Sequence, residues 1–229
     1  MDFSKFEEAA GVQFKDKSLL KQAFTHRSYI NENRDSKLEH NERLEFLGDA
    51  VLELVITDYL YGKMKEANEG EMTALRSALV NAETCAKVAA ALKVNDYLLL
   101  SKGEAKDTGR ARQYILANTL EAIIGALYLD QGYETAKDFI LKNIAPIMEL
   151  LVASGKYIDS KSLFQERAQE NTGFTPVYKS IRETGPDHDK HFTVVVYVGN
   201  DVVGEGEGKS KQEAEQEAAK AALEAKGWN

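Results

Sequence analysis

From Ser18 to about Ala153 the apolar residues recur at helical spacing, in LLKQAF, LEFLGDAVLELVITDYLY, MTALRSALV, ILANTLEAIIGALYL and AKDFILKNIAPIMELL. Alternating β-branched residues are nearly absent from this stretch, so it reads as a helix bundle. Breaks are expected at Gly70, across the polar run from Gly103 to Arg112, and at Gly132. Pro146 has no amide hydrogen to donate, so the last helix is either kinked there or made of two segments.

The period changes after Ser154-Gly155-Lys156. A short amphipathic helix, SLFQERAQENTG, leads into TPVYKSIRETG, HFTVVVYVGN and DVVGEGEG, strand-like runs closed by Gly and Asn. Ser210 then caps an Ala-rich helix, with Glu213 three residues on as a capping box requires. The expected architecture is an all-α domain over residues 1–153, a linker at 154–157, and a small α+β domain at 158–227 of order α-β-β-β-α with a three-stranded antiparallel sheet. No internal repeat is visible.

Composition sharpens this picture. A chain of 229 residues with 43% hydrophobic content can bury a medium and a small core. No apolar run approaches the roughly 20 residues that span a bilayer, and the N-terminal MDFSKFEEAAGVQF lacks the basic-then-apolar order of a secretory signal. A soluble, cytoplasmic protein without membrane attachment is expected. The only cysteine, Cys85, lies in an apolar pattern and should be a buried, inert thiol. The net charge of −8 is awkward for a nucleic-acid binder. Residues 158–229 carry 9 basic and 13 acidic side chains and the remainder 20 and 24, so both parts are acidic. Any contact with a polyanion must come from a few clustered Lys and Arg residues.

The helix expected over residues 43–60 carries carboxylates that amphipathicity does not explain. At about 100° per residue, Glu42, Glu45 and Asp49 fall on one narrow face, while Leu44, Leu47, Val51 and Val55 share an apolar side. Glu53 continues the acidic line. Stacked carboxylates repel each other unless a cation neutralises them, and hard oxygen donors suit Mg2+ or Mn2+. A second polar intrusion, Asn118 and Glu121, interrupts ILANTLEAIIGALYL. Two such faces meeting across a bundle would form an oxygen-lined pocket of the kind used in metal-assisted phosphoryl transfer. Spacing alone equally allows solvated helix faces.

The run Asn41-Glu42-Arg43-Leu44-Glu45-Phe46-Leu47-Gly48-Asp49-Ala50 resembles the signature of the ribonuclease III family. Thr25-His26-Arg27-Ser28 before it, Glu69-Gly70-Glu71-Met72 after it, and Leu116-Ala117-Asn118-Thr119-Leu120-Glu121-Ala122 agree in order. The resemblance implies a Mg2+-dependent endonuclease for double-stranded RNA, with Mn2+ able to substitute, acting on ribosomal precursors and structured messenger or transfer RNA transcripts. It implies Glu45, Asp49, Asn118 and Glu121 as metal-site positions, with Asp49 and Glu121 closest to catalysis and Glu42 and Glu69 as accessory acidic positions. It also implies a homodimer that leaves 5′-phosphate ends and short 3′ overhangs, with Phe46 packing into the partner; by apolarity alone Phe46 could equally belong to the core. The family usually has Asp where this chain has Asn118, which removes one negative charge. Two readings follow: a working enzyme with a carbonyl ligand, or a protein that binds duplex RNA and cuts it weakly or not at all.

The C-terminal part resembles a double-stranded-RNA-binding domain. Ser162, Gln165, Glu166 and Gln169 lie on one side of its first helix, suited to the shallow minor groove. His188 lies in the loop Gly185 to His191, and Lys209, Ser210 and Lys211 open the last helix, where amide groups favour phosphate. Lys220 could add to them. Gly206-Glu207-Gly208-Lys209-Ser210 is superficially like a P-loop, but the required first Gly would be Val203 and the flanking Glu205 and Glu207 oppose a triphosphate. No nucleotide cofactor is expected.

Overall fold

The structure is a computed structural model and describes residues 2–154, 159–186 and 189–228. The chain divides into two compact units, Met1–Tyr157 and Ile158–Asn229.

The first unit is helical, in the order α1 (Ser4–Ala10), α2 (Lys17–Ala23), α3 (Arg27–Glu32), α4 (Glu42–Lys63), α5 (Glu69–Val80), α6 (Ala82–Ala91), α7 (Arg110–Gln131), α8 (Tyr133–Asn143) and α9 (Ala145–Ser154). Helices α4 and α7, 22 residues each, cross at the centre, and Leu52, Ile56, Leu120, Ile123 and Ile124 are among their fully buried side chains. Their backbones touch. A Cβ added to Gly48 would stand 1.7 Å from the Glu121 carbonyl oxygen, and one added to Gly125 would stand 2.2 Å from that of Leu44. No side chain fits between them, so glycine is required at both positions for steric reasons.

Around this pair the remaining helices complete the core. Helix α1 lies upstream of the predicted helical stretch: Phe6 and Ala10 are buried, and Gly11 closes the helix at φ +72°, a left-handed conformation that favours glycine. Phe3, Phe6, Phe24 and Tyr97 pack their rings together. The break expected at Gly70 lies earlier, because Asn68 caps α5 and shares a capping box with Glu71. Gly70 therefore falls in the first turn, where amide groups have no helical partner to lose. The break at Gly132 stands, and the region of Pro146 is two segments, α8 and α9. Buried Asn41 pins the start of α4, its backbone amide donating to the Thr25 carbonyl at 2.9 Å and its Nδ2 to the Ala23 carbonyl at 3.1 Å.

The second unit runs α10 (Ser160–Thr172), β1 (Val177–Thr184), β2 (His191–Val198), β3 (Asp201–Gly208) and α11 (Lys211–Lys226), with an antiparallel sheet in the order β1-β2-β3. Phe164, Val194, Val196 and Leu223 form its core with Ala214, Ala218, Ala219 and Ala222. The alanines of α11 answer the glycines of β3. A Cβ on Gly206 would lie 2.1 Å from the Ala218 amide nitrogen and one on Gly204 2.4 Å from the Ala218 carbonyl oxygen, so helix and strand meet backbone to backbone. The Gly-Glu alternation of DVVGEGEG is thus an inner glycine face and an outer glutamate face.

Among the described residues, no helix is long and apolar enough to cross a membrane.

Candidate active site and RNA-binding surface

The Gly48–Gly125 contact determines which polar side chains meet. Glu45 and Asp49 stand within one turn of Gly48 on α4, and Glu121 stands one turn before Gly125 on α7, with Asn118 a further turn back. Asp49 is exposed, whereas Glu45, Asn118 and Glu121 are half-buried. Glu121 feels the concentration of charge most. Burial, then Asp49, then Glu45 push its carboxyl up to about 8. Burial also raises Glu45, opposed by a hydrogen bond from the Asn118 side chain and reinforced by Glu42 and Asp49. The chain's one departure from the expected acidic set therefore has a local effect, since the neutral Asn118 side chain favours the Glu45 carboxylate, which a fourth carboxylate would repel.

Among the described residues, no three His, Cys, Asp or Glu side chains converge closely enough to hold an ion as they stand. The donor set is nevertheless suited to a hard divalent cation, with three mutually repelling carboxylates and one amide oxygen. Rotamer changes at exposed or half-exposed side chains would draw them together.

Two further acidic positions differ in their surroundings. Glu42 is exposed and faces Arg27 at 3.5 Å and His40 at 3.7 Å. Glu69 is exposed in the first turn of α5, and among the described contacts none links it to the other four. His26, quoted in the resemblance but given no role there, lies near Glu42: burial lowers its pKa, and it also senses Glu104, Glu42, Arg112 and His40. Arg112 donates to the backbone carbonyls of Glu104 at 2.6 Å and Asp107 at 3.1 Å, folding the polar run into a defined loop. Cys85 is buried as expected, and burial, then Glu121 and Asp49, push its thiol up to about 12, so this unreactive group lies within electrostatic reach of the carboxylates.

Phe46 is 82% exposed and does not belong to the core. With exposed Ala50, Leu54 and Tyr61 it forms an apolar stripe within about 80° of the α4 surface, adjoining the acidic face.

In the second unit, Ser162, Gln165, Glu166 and Gln169 are on α10, away from buried Phe164 and Ala168. The Ser162 hydroxyl donates to Asp159 at 2.7 Å. Ser210 caps α11, accepting from the Glu213 amide at 3.1 Å, while Glu213 accepts from the Lys209 amide at 2.8 Å. The side chain of Lys209 is exposed, and Lys211 Nζ lies 5.7 Å from the centroid of the Phe192 ring. His188 lies outside the described residues.

A helical unit with an acidic crossing, followed by an α-β-β-β-α unit with a polar helix face, defines a nuclease-like domain joined to an RNA-binding module. Residues 16–148 match the Ribonuclease-III-like family and residues 160–226 match the double-stranded RNA binding motif. The chain is 48% identical to Ribonuclease 3 of Protochlamydia amoebophila over 95% of its length and 89% of the relative's. It is 46% identical to Ribonuclease 3 of Oceanobacillus iheyensis over 98% of both chains. The nuclease domain of ribonuclease III from Campylobacter jejuni, a structure described for flexibility in a region involved in dimer formation, covers 63% of this chain and 99% of its own at 43% identity and a TM-score of 0.56. The chain belongs to the ribonuclease III family.

Proposed function

We propose that the α4–α7 crossing is the catalytic centre of a Mg2+-dependent endoribonuclease for double-stranded RNA, with Mn2+ able to substitute. The observation that carries this reading is the pairing of Glu45 and Asp49 with Asn118 and Glu121 across the glycine contact, where burial, reinforced by Asp49 and Glu45, pushes Glu121 up to about 8. Glu45, Asp49, Glu121 and the Asn118 carbonyl oxygen are the groups that would hold the cation. When bound, the ion supplies an activated water and charge stabilisation for in-line displacement at a phosphodiester. Asp49 and Glu121 would stand nearest the reacting phosphate. Asn118 keeps Glu45 oriented, and Glu42 and Glu69 serve as accessory acidic groups at the edge of the site.

The second unit, residues 158–227, holds the duplex. Ser162, Gln165, Glu166 and Gln169 meet the minor groove, His188 a neighbouring groove, and Lys209, Ser210 and Lys211 the phosphates. Two chains pair through the Phe46 stripe, so that two centres cut opposite strands and leave 5′-phosphate ends with short 3′ overhangs. Ribosomal RNA precursors and structured messenger or transfer RNA transcripts in the cytoplasm are the substrates.

A long RNA duplex incubated with and without Mg2+ tests this reading. Expected are short products that EDTA abolishes and that Glu121→Gln loses by on the order of 10³-fold, the scale of removing an electrostatic catalytic group. Retention of the duplex on a gel without products, at any Mg2+ concentration, would overturn the enzyme in favour of a binding protein.

A further inference from the structure

The outer face of the second unit's sheet has a charge pattern that the RNA-binding reading does not use. Strand β2 turns Val194 and Val196 to the helices, so Thr193, Val195 and Tyr197 face outward. The register fixes their neighbours. Val177, Tyr197 and Val202 form one row, Lys179, Val195 and Glu205 the next, and Arg182, Thr193 and Glu207 the third. The β1 edge of this face is therefore basic and the β3 edge acidic; between them Thr193 and Val195 are buried under their neighbours and Tyr197 is half-buried, so the exposed apolar surface is the row of Val177, Tyr197 and Val202. Val177 is 50% and Val202 57% exposed, and all four charged residues are exposed. Lys179 lies over the Tyr197 ring at 4.8 Å and Thr193 bonds Glu207 at 3.3 Å. No ion pair joins the two charged edges among the described residues; β2 separates them by about 10 Å, twice the interstrand spacing.

We propose that this face pairs with the same face of a second copy of the chain. A twofold axis parallel to the strands lays β1 of one copy over β3 of the other. Lys179 then meets Glu205 and Arg182 meets Glu207, each twice, while Val177 meets Val202 and Tyr197 meets Tyr197 on the axis. The other in-plane twofold, perpendicular to the strands, stacks basic edge on basic edge. Charge thus selects one isologous arrangement of the two possible. Strands of eight residues give a face of about 15 by 25 Å, less than about 1,000 Å2 in total, which is the size of a transient contact. Pairing of the nuclease units, as proposed above, supplies the second copy at high effective concentration. In that respect the inference rests on that reading. Duplex RNA is the poorer occupant, because Glu205 and Glu207 repel phosphate.

Tyr197→Cys in the full-length chain, treated with a short bismaleimide, reads the contact, since Cys85 is buried. Covalent dimer is expected, at least tenfold above Lys220→Cys, whose cysteine stands on α11. Adding K179E/R182E or E205K/E207K should abolish it, and combining all four reversals should restore it. Crosslinking that ignores the reversals, or that matches the α11 control, would overturn the proposal. Sedimentation separates the two readings. A monomeric chain removes the nuclease-unit dimer, and the sheet contact then shows as crosslinking that rises with protein concentration. Absence of crosslinking at every concentration overturns the sheet contact whichever state is found.

Discussion

The two functional regions use side chains in opposite ways. At the α4–α7 crossing the groups proposed for catalysis are mostly half-buried, repel one another and are held by helices whose backbones touch at Gly48 and Gly125. On the RNA-binding unit they lie on separate elements and partly serve local contacts, the Ser162 hydroxyl donating to the Asp159 carboxylate and Ser210 accepting from the Glu213 amide. The first region should fail as a whole when its frame is disturbed. The second should lose affinity in independent steps.

After the loss expected for Glu121→Gln, the largest effect follows from the frame. Gly48→Ala places a methyl group where the Glu121 carbonyl stands, so α4 and α7 must separate. Overpacking of this kind costs about 1–3 kcal/mol, and a displacement near 1 Å costs on the order of 10²-fold in rate. Cleavage should fall by at least that factor, with a lower melting temperature for the first unit and unchanged affinity for duplex RNA. Gly125→Ala should follow the same course. If RNA affinity fell in parallel with cleavage, the two regions would not be independent.

These glycines also show where sequence reasoning stops. Helical spacing shows that Glu45 and Asp49 share one face of α4, while their proposed role together with Glu121 rests on the resemblance to the ribonuclease III family. Gly48 stands within the same motif without a visible role, since its partner lies on a helix more than seventy residues away and a close crossing leaves no local signal. Gly70 misleads for a related reason: a glycine looks like a break, but Asn68 decides where α5 begins. Helix α1 escapes the periodicity because a short amphipathic helix of barely two turns is a weak signal, although Gly11 marks its end. In the second unit the Gly-Glu alternation announces a strand, and only the contact with α11 shows that the glycines line its inner side.

Burial raises the Glu121 and Glu45 carboxyls of the first region, whereas in the second unit the burial of Asp159 is outweighed by hydrogen bonds from Gln216 and Ser162 that lower it, so the two depend on pH in opposite directions. A carboxyl pushed from 4.5 to about 8 in the folded state keeps its proton while the unfolded chain has lost it. Its contribution to stability is therefore fully present below pH 4.5 and is lost as pH rises through about 8. In EDTA the first unit should melt about 3–6 °C lower at the top of this window than at the bottom, relative to Glu121→Gln. Equal pH slopes for the two proteins would mean that Glu121 is ordinary in solution and the crossing less crowded than its geometry indicates.

On the RNA-binding unit, Gln165→Ala and Lys209→Ala should each weaken duplex binding by roughly 3–10-fold, about 1 kcal/mol per lost contact. Only Lys209→Ala should also flatten the salt dependence, by about one unit of slope. Binding measured over a salt series distinguishes them. A joint effect far beyond the product of the two would mean that this surface, too, acts as a unit.

The smallest effect concerns the residue at which the two demands on the first region meet. Asn118 gives up a charge that would attract the cation and in return offers Glu45 a neutral polar neighbour that favours its carboxylate. With Asp in its place a fourth carboxylate would join the crossing. Metal-free stability should fall by about a degree or two, and the Mg2+ concentration giving half-maximal cleavage should drop by about 2–5-fold, a gain below about 1 kcal/mol once the added repulsion is counted. Melting curves with and without Mg2+ read the first quantity and initial cleavage rates the second. If only Asn118→Asp cut duplex RNA, the native residue would be a lock on the site and the chain a binder of double-stranded RNA. A shift confined to the Mg2+ midpoint, at similar maximal rate, would instead identify Asn118 as a ligand that works through its carbonyl oxygen.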